Sequence, residues 1–238
     1  MIRYFISLFA ILSFTVYTGE ITVDMLPASG GNIKVHFIKH ATLVIEHGAL
    51  VIHVDPAQQY TDYKKQPKAD IVLVTHEHGD HCDANALALI MKKDTAVIGN
   101  AGAVAKLKTG QALSNGQSLA VKGITIRAVP AYNTTPGRSI FHPKGRDNGY
   151  VLTIGGTHIY IGGDTEDIPE MKDLKDIEIA FLPMNQPYTM TIPQAVNAMR
   201  MIRPKITYPY HYGNTDIRKF QEAAKSETYT EVRIREMQ

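Results

Sequence analysis

Hydrophobic and polar positions divide the chain into short strands with a few helices set between them. Ile33 to Ile38 alternates apolar with polar, the period of a strand with one face buried. Thr42 to Glu46 and Leu50 to Val54 repeat the pattern around His47-Gly48, and Asp55-Pro56 ends the second of them. Gln58 to Lys68 is polar and reads as a loop. Ile71-Val72-Leu73-Val74-Thr75 is apolar without alternation, which predicts a strand buried on both faces. Beyond it, Asp83 is a good N-cap for an apolar helix from Ala84 to Met91, and Lys92 and Lys93 suit that helix's negative end. Thr95 to Ile98 reads as a strand and Ala101 to Lys108 as a helix.

In the second half, Gly123 to Val129 reads as a strand stopped by Pro130. Tyr150 to Ile154 and His158 to Ile161 flank Gly155-Gly156, a two-residue hairpin signal. Ile177 to Leu182 is apolar on both faces. Pro193 to Ile202 is helical, with proline early in the helix and Pro204 beyond its end. Ile206 to Tyr210 is a strand, Thr215 to Lys225 a helix and Thr230 to Ile234 a last strand. Both halves pass from strands to mixed strand and helix, with no repeat or low-complexity linker. We expect one α/β (α+β) domain over residues 30–238, with two mixed sheets face to face and helices outside.

Composition narrows the function classes. The 238 residues are 44% hydrophobic and 20% charged, with a formal net charge of +2. No basic cluster stands out, so a nucleic-acid partner is not expected. Arg3 precedes an apolar stretch from Tyr4 to Tyr17 interrupted by Ser7, Ser13 and Thr15. Its length suits a signal-peptide core of about 7–15 residues rather than the ~20 of a membrane span. Residues 1–19 are therefore read as a signal peptide of an exported, periplasmic protein, with a retained N-terminal membrane anchor as the alternative. Cys82 is the single cysteine; it allows no internal disulfide and reads as a small apolar filler.

The densest chemistry is His76-Glu77-His78-Gly79-Asp80-His81, on the loop between the buried strand and its helix. Imidazoles and carboxylates this crowded suit a divalent metal better than packing, because each needs a polar partner if buried. Two more strand ends carry similar groups: Gly162-Gly163-Asp164, whose glycines admit close backbone approach, and Tyr210-His211-Tyr212-Gly213.

His76-x-His78-x-Asp80-His81, with the later Asp164 and His211, resembles the metallo-β-lactamase superfamily of metal-dependent hydrolases. His40-Ala41-Thr42 and Val51-Ile52-His53-Val54-Asp55-Pro56 resemble its branch of proteins similar to ascorbate-phosphate lactonase and the N-acyl-phosphatidylethanolamine phospholipase D group. The likeness spans roughly residues 33–215. It implies a four-layer αββα sandwich. It further implies one metal on His76 and His78, a second on Asp80, His81 and His211, Asp164 between them, and Asp55 orienting a ligand histidine. The chain departs from the family pattern at Val129-Pro130-Ala131-Tyr132-Asn133, where a further histidine is usual. Asn133 is the nearest substitute in sequence and His142 lies further on, so one or two ions are compatible with the sequence. Zinc is the expected metal, with manganese, nickel or iron as competitors.

These residues imply hydrolysis of an ester, lactone or phosphoester bond in a small, possibly anionic molecule. A bound cation would lower the pKa of water from 15.7 to about 7, and Asp80 would orient that water and take its proton. His142 and Lys144, on the loop from Thr134 to Asn148, are the candidate proton donor and charge partner for the leaving group. No Gly-x-Ser-x-Gly elbow is present. The competing readings are a non-catalytic metal-binding or metal-sensing protein, and a β-lactamase or thioester hydrolase. Nuclease and di-iron oxidoreductase readings are weaker, lacking a basic patch and a flavin partner domain.

Overall fold

The computed structural model describes residues 14–17 and 21–237. Of the N-terminal segment read as a signal peptide or anchor, only Phe14–Tyr17 is described, as strand β1; the remainder lies outside the described residues. β1 pairs antiparallel with β2 (Thr22–Leu26), so the first sheet begins before residue 30.

The first sheet has eight strands in sequence order. β1, β2, β3 (Ile33–Lys39), β4 (Thr42–His47) and β5 (Leu50–Val54) run antiparallel to their neighbours. β6 (Ile71–Val74), β7 (Ala96–Gly99) and β8 (Gln111–Ala112) continue parallel. The seven-stranded second sheet has the same plan. β9 (Ser118–Val121), β10 (Ile124–Ala131), β11 (Asp147–Ile154) and β12 (Thr157–Ile161) are antiparallel; β13 (Ile177–Pro183), β14 (Ile206–Tyr210) and β15 (Glu231–Val232) are parallel. Parallel pairing needs a crossover, and the crossovers supply the outer helices: α1 (Ala84–Ile90), α2 (Ala101–Leu107), α3 (Ile192–Ile202) and α4 (Ile217–Ala223). Among the described residues no helix is long and apolar enough to cross a membrane.

β6 shows why its run lacks alternation. Ile71 and Leu73 join the core between the sheets, whereas Val72 and Val74 pack with Cys82, Ala86, Leu87 and Ile90 beneath α1. Cys82 is therefore the buried filler expected of it. Across the sheets, the Phe37 ring lies 4.9 Å from Tyr208 and 6.2 Å from Phe181. Asp83 caps α1 through Asn85 and Ala86 N–H, and Thr191 with Gln194 forms a capping box on α3. The Gly155-Gly156 turn has φ of 54° and 79°, the left-handed pair of a type I′ hairpin.

Pro130 does not stop its strand. β10 runs on to Ala131, with Pro130 opposite Asn148. Pairing to β9 covers only Ile124 to Arg127, so the flank at Pro130 asks for no N–H donor there.

His53 on β5 is wholly buried, with Nε2 3.0 Å from the Pro67 carbonyl and Nδ1 unpartnered. Burial pushes its imidazole down from 6.5 to about 4, with partial compensation from that carbonyl. Between these values the unfolded chain takes up a proton that the folded chain refuses. Stability is thus complete above the unfolded value and falls on acidification by about 1.4 kcal/mol per pH unit. Urea unfolding between pH 6.5 and 4 should show a shallower loss for His53→Leu than for the parent; equal slopes would exclude this origin.

Candidate metal centre

The parallel strands of both sheets deliver their carboxyl ends to one crevice, where α/β sheets usually place ligands. β5 leads to Asp55, β6 to the histidine-rich loop, β12 to Asp164 and β14 to His211. The glycines before Asp164 are sterically required. A Cβ on Gly163 (φ +64°) would lie 2.6 Å from the Asn148 carbonyl, and one on Gly162 3.0 Å from that of Phe181. His40, Asp55 and His211 also take positive φ (58°, 45° and 42°), strained for such side chains and often found at functional sites.

Asp55 is fully buried and saturated. Oδ1 accepts from Thr75 N–H at 2.7 Å; Oδ2 accepts from the Thr75 hydroxyl at 2.8 Å and from His81 Nδ1–H at 2.9 Å. With its proton committed to Asp55, the Thr75 oxygen accepts from His76 Nδ1–H at 2.9 Å. His142 Nδ1–H donates to Asp147 Oδ2 at 2.9 Å. Three imidazoles thereby carry their proton on Nδ1 and turn an Nε2 lone pair inward.

Those lone pairs meet carboxylate and more imidazole. His81 Nε2 is 3.4 Å and His211 Nε2 3.2 Å from Asp164 Oδ1, and His142 Nε2 is 3.3 Å from Asp164 Oδ2. His81 and His211 Nε2 are 3.1 Å apart, as are His76 Nε2 and His78 Nδ1. Ring nitrogens and carboxylate oxygens this close in a buried space need a proton or a metal cation between them. Burial opposes charge on His81, yet Asp164 and Asp55 raise it to about 10; burial opposes charge on His142, yet Asp147 and Asp164 raise it to about 9. Asp164 is buried too, but His211 and His81 keep it far below the usual carboxylate range. A divalent ion answers the same negative field, so the residues fit a metal.

Among the described residues the His, Asp and Glu donor atoms form three groups, each within 4.8 Å: His76, His78 and His142; His40, Asp80, His81 and His211; and His76, His81 and Asp164. The structure thus brings His76, His78, Asp80, His81, Asp164 and His211 together, with Asp55 behind His81. The other three predicted residues part ways. The Asn133 side-chain N–H groups donate to the Arg138 and Tyr188 carbonyls at 3.3 and 2.7 Å, and among the described residues its buried Oδ1 has no hydrogen-bond partner. His142 takes the place considered for it, because Asn133 N–H holds the His142 carbonyl at 2.9 Å and folds the loop back. It is positioned as a third imidazole beside His76 and His78, not as a free-standing proton donor. Lys144 turns outward to Glu170 at 2.8 Å and the Tyr132 hydroxyl at 3.2 Å.

His40 is the site residue that sequence reasoning passed over. Its Nε2 lies 3.1 Å from Asp80 Oδ2, its ring 3.7 Å from that of His211, and its carbonyl accepts from His211 N–H at 2.9 Å. The signal was its position at the end of an early strand, quoted above only for its likeness to relatives.

A cavity of about 300 Å³ opens onto this cluster, lined by His78, Asp80, Phe141, His142, Asp164, Asn185, Tyr188 and His211.

A β-lactamase superfamily domain model matches residues 34–211. The chain belongs to the metallo-β-lactamase superfamily. Its relatives in that superfamily include a UPF0173 metal-dependent hydrolase of Pelotomaculum thermopropionicum, 30% identical over 85% of this chain and 96% of the relative. A crystal structure from Parabacteroides distasonis, of a protein assigned as a metal-dependent hydrolase, is 50% identical, covers 96% of this chain and 100% of its own, and superposes with a TM-score of 0.85. Igni18, a metallo hydrolase of Ignicoccus hospitalis, shares the fold at a TM-score of 0.73 and 24% identity, over 86% of this chain and 95% of its own.

Two measurements check the superfamily centre. Metal content by mass spectrometry should fall from two equivalents to one in His142→Ala and stay at two in Asn133→Ala. Asp55→Asn, which swaps an accepting oxygen for a donor, should weaken metal retention about 10–100-fold in chelator competition.

Proposed function

We propose that this superfamily member is a zinc-dependent hydrolase of a carboxylic ester or lactone in a small molecule. One ion would be held by His76, His78 and His142, the other by Asp80, His81 and His211, with Asp164 facing both. The observation that carries this reading is the convergence of three Nε2 atoms, on rings held by Asp55, Thr75 and Asp147, with the buried Asp164 and further imidazoles beside an open cavity. An imidazole-rich donor set favours zinc over manganese; nickel and iron are the closer competitors. Such ions would supply Lewis acidity and lower the pKa of water to about 7.

The chain's own residues do the rest. Asp80 reaches the cavity half-exposed, and His40 Nε2 holds its Oδ2 at 3.1 Å. Its carboxylate orients the attacking water, takes its proton and returns it to the leaving alkoxide, so no separate acid is needed. Asp164 and the histidines stay fixed by the bonds behind them.

Support for this bond type comes from the side chains around the cavity. Lys144 is engaged with Glu170 and absent from the walls. Arg146, 3.5 Å from His78, gives its N–H groups to Asp147 and the Phe141 carbonyl. Among the described residues that line the cavity, no lysine or arginine offers its charge to a further anionic group, which supports a neutral ester or lactone over a phosphomonoester. The apolar run behind Arg3 supports export of the protein, to be checked by sequencing its mature N-terminus.

Chromogenic esters, lactones and bis-phosphoesters, each with and without chelator, test the reading. Ester or lactone turnover should vanish with chelator and return with zinc. Phosphoester turnover alone would replace the bond assigned, and metal binding without any turnover would make this a metal-binding protein. Lys144→Ala should leave kcat/KM within about twofold, as for a surface substitution.

A further inference from the structure

Among the described residues, the large hydrophobic side chains left strongly exposed are Ile140, at 75%, and Tyr188, at 42%. Isolated exposed apolar residues are ordinary on protein surfaces. Tyr188 lines the cavity, and Ile140 adjoins Phe141, which also lines it. The Phe141 and Tyr188 rings meet edge to face with centroids 5.0 Å apart. They come from different connections, Phe141 between β10 and β11 and Tyr188 between β13 and α3.

The two segments are stitched together rather than loose. The buried Asn133 amide spans them, donating to Arg138 on one and Tyr188 on the other. Phe141 N–H donates to the Arg138 carbonyl at 3.0 Å, and its own carbonyl accepts from Arg146 at 2.7 Å. This holds an apolar ledge one residue from His142 and open to water. It forgoes burial that would stabilise the fold, a cost that ligand burial would recover.

We propose that the substrate carries a short, uncharged alkyl or aryl arm next to the scissile carbonyl, seated on Phe141 and Tyr188. This rests on the hydrolase reading above and adds the substrate class. The cavity, near 300 Å³, is at the lower end for small-molecule sites, so the arm is a few carbons long. The ledge carries no charge to recognise an anionic arm.

The test uses n-alkyl hydroxamic acids, from acetyl to octanoyl, titrated calorimetrically into the zinc-loaded full chain. A parallel series of p-nitrophenyl esters is assayed for kcat/KM. Affinity should rise about two- to fourfold per methylene over the first few carbons and then level off. Tyr188→Ser should flatten that rise with zinc content unchanged. Chain-length-independent affinity, or tighter binding of succinyl monohydroxamate than of butyryl hydroxamate, overturns the proposal even if esters are cleaved. Chain-length-dependent binding without cleavage of any ester upholds the ledge and overturns the bond assigned.

Discussion

One buried carboxylate, Asp55, holds the centre in its working form. An unpaired charge there would be costly enough to expel or neutralise. Three donors saturate it instead, two from Thr75 and one from His81. Together they lock the end of β5 to the end of β6 and to the histidine loop. They also decide where protons sit: His81 directly, and His76 through the committed Thr75 hydroxyl. Asp147 does the same for His142 from the other sheet. Inward lone pairs in a dry crevice are unfavourable alone, so affinity for a cation is built into the packing.

Much of this was legible because it was local. The histidine loop, its buried strand and the helix cap lie within one short stretch, and the ends at Asp164 and His211 follow buried apolar runs. β6 read as buried on both faces, and it is, between the sheets and beneath α1. Illegible were the features that depend on distant partners. His142 sits in a loop without periodicity and enters the cluster only because Asn133 turns the chain back and Asp147, the first residue of β11, receives its ring. Lys144 seemed a cation for the pocket, but Glu170, far along the chain, draws it outward. Pro130 looked like a strand end because sequence does not reveal that its flank is unpaired.

The distribution of charge separates fixed framework from reacting space. Carboxylates and arginine that pair permanently, such as Asp147 with Arg146, stand behind the histidines. The cavity wall carries the Asp80 and Asp164 carboxylates together with imidazoles, an amide and two aromatic rings. Such a wall would leave bound metal as the dominant electrophile.

His40 also joins the two ends of the described chain. Its N–H donates to the Met237 carbonyl at 2.7 Å, its carbonyl accepts from His211, and Met237 N–H donates to the Tyr212 hydroxyl at 2.8 Å. During synthesis the ribosome therefore delivers nearly every donor atom long before the backbone around His40 can be clasped. A nascent polypeptide halted shortly before Met237 would own the ligands yet lack the brace around them, so closure of the backbone at His40 waits on Met237.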